Sequence, residues 1–130
     1  MRVVTGAAAY WGIVFALGFV LGTIRVLWVI PLTGLMAATA LELPVMLAAS
    51  WFASGWIVRR FRITGPRDAL VLGALAFGML MAAECALAAA LAGETPAQWL
   101  AGLRQPHALL GLAGQVVFAL MPWWRVRQGA

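Results

Sequence analysis

Apolar residues run along this chain in long blocks, 4–24, 43–58, 69–83 and 108–124, with every charged residue outside them. A helix that spans the hydrocarbon core of a bilayer needs roughly 20 predominantly apolar residues. Backbone amides and carbonyls in lipid must bond within the segment, and the chain lacks the alternating ten-residue pattern of barrel strands. The pattern therefore predicts an all-α integral membrane protein with four transmembrane helices, at about 4–30, 35–58, 68–92 and 106–124.

The breaks supply the connections. Pro31-Leu32-Thr33-Gly34 reads as a tight turn, so the first two helices form an antiparallel hairpin. The polar segment 59–67, RRFRITGPR, joins helices two and three. Gly65-Pro66 opens helix three, with Asp68 near its positive end. Thr95 and Gln98 have capping-box spacing and start a short helix with Trp99, Leu100 and Leu103, too short to span and placed at the membrane interface. Pro106 opens helix four, which is expected to end near Pro122. The whole chain is one four-helix antiparallel domain.

Composition agrees with the pattern. Hydrophobic residues make up 65% of the 130 positions and charged residues 10%, too few polar groups to cover a soluble domain of this size. The net charge of +5 comes from arginines alone. They gather at the ends of apolar runs, which points to anionic headgroups and away from nucleic acid. Arg2, Arg59, Arg60, Arg62, Arg67, Arg125 and Arg127 share one side of a four-span topology, and Arg104 lies on the other. The positive-inside rule then puts both termini in the cytoplasm of a bacterial inner membrane. Cys85 has no partner cysteine in the chain.

Charges inside the spans are the strongest chemical lead. Arg25 falls about 9 Å below the outer end of helix one, Glu42 and Glu84 about 13 Å down helices two and three, and Gln115 about 12 Å into helix four. An ionised group at the bilayer centre costs about 2.5–3.5 kcal/mol on insertion scales, so these residues should face inward and meet. Arg25 can bridge Glu42 and Glu84 through its guanidinium fork. One arginine balances one carboxylate, so the remaining acid is expected to carry a proton. Small residues share the polar faces: Gly18 and Gly22 line up with Arg25 and permit close helix approach. Pro44 withholds an amide from the carbonyl of Ala40, near Glu42.

Three readings of these charges stand side by side. Arg25 snorkels to the headgroups; the cluster is a knot that sets helix register; or it is a proton-linked site for binding or transport of a small solute. A single histidine, His107, with Cys85 inside a span, does not make a metal site, and no bis-His haem is available, so no metal and no cofactor are expected. No phosphate loop, nucleophile elbow or zinc helix appears, so the chain does not read as an enzyme.

The run LGTIRVLWVIP…LELPVMLAASWFASGWIVRRF resembles small four-span bacterial inner-membrane proteins that are uncharacterised, which implies location and fold but no activity. In size and in having a membrane carboxylate the chain is also similar to small multidrug-resistance exporters. Their essential glutamate lies in the first helix, where this chain has Arg25, so no residue role is carried over. The favoured function is proton-linked transport or binding of a small solute, in a homo-oligomer because four short helices enclose little volume. The alternative is an accessory or assembly subunit docked through Gly/Ala faces on a larger membrane complex, with a purely structural cluster.

Overall fold

The computed structural model describes residues 2–24, 27–28 and 30–128, the side chains of residues 30, 35 and 107 excepted. All regular structure in it is helical: α1 (Arg2–Ile24), α2 (Ile30–Thr33), α3 (Leu35–Arg60), α4 (Pro66–Ala92), α5 (Pro96–Gly102) and α6 (Pro106–Arg127). Four of these, α1, α3, α4 and α6, are long and apolar enough to cross a membrane. Large apolar side chains such as Val20, Leu41, Phe52 and Val71 are exposed and take no part in the buried core. Such an exterior is costly in water and natural in lipid. This is a multi-pass membrane protein.

Local sequence explains most of the helix ends. Gly65 is the extended N-cap of α4 and Pro66 its first residue, with Asp68 in the first turn. At the other end Gly93 takes a left-handed φ of 67°. The Gly93 and Glu94 amides bond back to the carbonyls of Ala89 and Ala88, closing the helix as a Schellman-type cap. α5 begins with the expected capping box: Thr95 accepts from the Gln98 amide, and the Gln98 side chain accepts from the Thr95 amide. In the first span α1 is described to Ile24 and Leu27–Trp28 form π-helical turns before α2; residues 25, 26 and 29 of the expected helix lie outside the described residues. α6 passes through Pro122 and continues to Arg127, three residues beyond the expected 124.

The long helices form a ring. α4 packs on α6, α6 on α3, α3 on α1 and α1 on α4, so α1 and α6 face each other across the centre. The arginines sort by end: the Arg2 side chain donates to the carbonyl of Arg62 in the α3–α4 loop at 3.4 Å, and α6 runs toward the same end with Arg125 and Arg127 in its last turn.

That end is also the tightly packed half. Ala7, Tyr10 and Val14 of α1 meet Ala53, Ile57 and Val58 of α3, Ala69, Leu72 and Ala76 of α4, and Phe118 of α6. Small residues let the backbones close in. A Cβ on Gly73 would overlap the carbonyl oxygen of Ala119, so α4 and α6 touch backbone to backbone there. Gly6 likewise makes room for Leu72, whose Cδ1 lies 2.9 Å from where a Cβ would stand. Without a hydrophobic driving force between helices in lipid, this dense contact is what holds the bundle.

Candidate functional site

The opposite half of the bundle is open. A cavity of about 550 Å³ runs between all four long helices, lined by residues from Val14 to Leu27 of α1 and the segment after it, Thr39 to Ser50 of α3, Leu80 to Leu91 of α4 and Gly111 to Phe118 of α6. Its floor, Val14, Ser50, Leu80 and Phe118, is buried, whereas Thr23, Leu27 and Leu91 at the arginine-poor end are exposed. The cavity therefore opens toward that end and is closed toward the arginine-rich one. Most of the wall is apolar, with a few convergent polar groups, the ordinary make-up of a small-molecule site of this size.

The closure has a specific construction. The Tyr10 ring stacks on Phe118 with centroids 4.3 Å apart and planes 14° from parallel. The Tyr10 hydroxyl donates to the Phe118 carbonyl at 2.7 Å. That carbonyl is available because its partner four residues on is Pro122, which has no amide hydrogen. Pro122 is fully buried. The Tyr10 hydroxyl thus takes the place of the missing amide, and α6 survives its internal proline.

Glu42, Glu84 and Gln115 all line the cavity, from three different helices. Gln115 Nε2 donates to Glu84 Oε1 at 2.5 Å, joining α6 to α4 at mid-bundle. Thr39 and Ser50 are buried and add hydroxyls to the α3 wall. Helical spacing accounts for the convergence: Leu80, Glu84, Leu87 and Leu91 form one stripe of α4, and Thr39, Glu42, Met46 and Ser50 one stripe of α3.

The other site residues fall differently. Arg25 lies outside the described residues, and so does the arginine bridge assigned to it. Gly18 and Gly22 line the cavity rather than a backbone contact: a Cβ on Gly18 would stand 3.3 Å from the Met46 methyl. Tighter approaches than at Gly18 include those at Gly73 and at Gly114, where a Cβ would overlap the Leu43 side chain. Pro44 is exposed on α3 and contributes nothing to the cavity wall. Among the described residues no group of three His, Cys, Asp or Glu side chains is placed to hold a metal ion. Cys85 is half-buried with a free thiol.

Sequence reasoning missed Tyr10, Phe118 and Ser50. A signal for the first two was present: a proline inside an apolar run, four residues after Phe118, with a tyrosine in another span to cap the freed carbonyl.

The fold and cavity define a small four-span helical membrane protein with a largely apolar interior cavity that holds a few polar groups. No protein-family model, no curated protein and no solved structure matches the chain.

Proposed function

We propose that this protein binds a small solute in the cavity and moves it in a proton-linked manner, in the bacterial inner membrane with both termini cytoplasmic. The observation that carries the reading is the placement of Glu42, Glu84 and Gln115 in the wall of a cavity open at one end and closed at the other. Intramembrane carboxyls are costly to insert and are typically kept for transport or binding. A carboxyl also exists in charged and neutral forms, so occupancy of the cavity can be tied to uptake or release of a proton. The arginine-rich end is the cytoplasmic one by the positive-inside rule, so the cavity opens outward. We propose no enzymatic role.

The expectation of an oligomer rested on four short helices enclosing little space, yet a single chain surrounds about 550 Å³. The rival reading, an accessory subunit, draws on the exposed small-residue stripe of α4 at Gly78, Ala82 and Ala86.

A thermal-shift screen of solutes across pH, followed by flux measurements in proteoliposomes with a pH gradient, tests the proposal. A solute that stabilises the wild type should drive proton flux, and Glu42→Gln and Glu84→Gln should abolish that flux while remaining folded. Wild-type flux in both Gln variants would sink the proposal, and a stoichiometric partner in native purification would favour the accessory role.

A further inference from the structure

The closed end of the bundle carries seven of the chain's nine arginines and one of its four acidic residues, Asp68. Arg125, in the last turn of α6, is held differently from the others. Its guanidinium lies against Gly55 of α3 so closely that a Cβ on that glycine would overlap it. Its Cζ sits 4.6 Å from the centre of the Trp51 ring, and Trp124 meets the same ring edge-on at 5.6 Å. Its Nε is buried with no hydrogen-bond partner. Among the described residues no carboxylate pairs with it.

A long cationic side chain normally loses much rotamer freedom when it grips an anion. Here packing against Gly55 and the Trp51 ring has already ordered it, and the cation–π contact fixes its plane. The charge itself is not neutralised by any described acid. Arg59 follows Gly55 by one turn on the same face of α3 and is exposed, adding a second positive charge. Guanidinium forks match phosphate oxygens, and arginine beside tryptophan at the end of a span sits at the depth of lipid headgroups.

We propose that Arg125, seated on Gly55 and Trp51 and supported by Arg59, binds the phosphate of an anionic phospholipid headgroup. The site lies at the end of the bundle opposite the cavity mouth and does not depend on a transport role. It ties α6 to α3 through a lipid at the point where neither helix supplies an acid for the guanidinium.

Native mass spectrometry of the full chain in detergent, titrated separately with phosphatidylglycerol, phosphatidylcholine and inorganic phosphate, tests it. Phosphatidylglycerol should be retained in preference to phosphatidylcholine and should be released as salt is raised. Arg125→Gln should weaken retention about fivefold, Arg125→Lys should fall between, and Arg67→Gln, exposed in the first turn of α4, should stay near wild type. Equal retention by wild type and Arg125→Gln, or equal binding of both lipids, overturns the site. Displacement of phosphatidylglycerol by inorganic phosphate at matched concentration overturns the lipid assignment. If Arg125→Gln does not fold, the wild-type salt series decides, and retention indifferent to salt overturns the proposal.

Discussion

The Tyr10 hydroxyl caps the Phe118 carbonyl across the centre of the bundle, at 2.7 Å, in place of the amide that Pro122 lacks. One bond thereby links diagonal helices, repairs an interrupted helix and closes the cavity floor. Tyr10→Phe leaves a buried carbonyl without a donor and is expected to cost about 1–3 kcal/mol. In a Pro122→Ala background residue 122 regains its amide, so the same change should cost clearly less. A double-mutant cycle in mixed-micelle unfolding reads this coupling, and an equal cost in both backgrounds would contradict the capping role.

The backbone contact of α4 with α6 at Gly73 and Ala119 makes a second prediction. Gly73→Ala places a methyl group on a main-chain oxygen that cannot step aside, and should destabilise by about 1–3 kcal/mol. Gly78, five residues on, has no atom within 4 Å of where its Cβ would stand. Gly78→Ala should therefore be neutral or mildly stabilising. Unfolding midpoints of the two variants provide the comparison.

Gln115 and Glu84 join α6 to α4 through one side-chain hydrogen bond. Interhelical bonds of this kind contribute about 0.6 kcal/mol on average and up to about 1.7. Gln115→Leu should lower stability by an amount in that range. Glu84→Gln keeps an oxygen acceptor at the same place and should unfold close to wild type, which makes it a clean variant for flux. A Gln115→Leu protein as stable as wild type would show that the bond carries no weight.

Outside the spans, Thr95→Ala removes the capping oxygen of α5. The expected local cost is about 1 kcal/mol, read as roughly fivefold faster amide exchange within Pro96–Gly102. α5 buries none of its residues, so exchange in α4 and α6 should be unchanged. Faster exchange in α4 and α6 as well would contradict this independence.

Topology is open to direct test by cysteine accessibility. In a Cys85→Ala background, cysteines at Thr64 and Gln128 should label only from the cytoplasmic side, and one at Gln98 only from the opposite side. Labelling of Thr64 and Gln128 positions from outside would invert the orientation and turn the cavity mouth inward.

Much of the molecule was legible in its residues. Four apolar runs of spanning length, Gly-Pro and Thr-x-x-Gln starts, and arginines at alternate ends determined the number of spans, the short helix and the way the ends sort, because lipid forces every backbone group into a local bond. Helical period also placed Glu42, Glu84 and Gln115 on inward faces, since 3.6 residues per turn is a local property.

What tertiary structure alone decided is how the inward faces meet. Whether Gly18 or Gly73 would carry the tight contact, whether Pro122 would end a helix or be bridged by Tyr10, and which half would pack while the other stayed hollow depend on pairs of residues far apart in sequence. Local spacing can say which side of a helix a residue occupies. The partner it finds there is set by the shape of the neighbouring helix, and no single run of residues contains that shape.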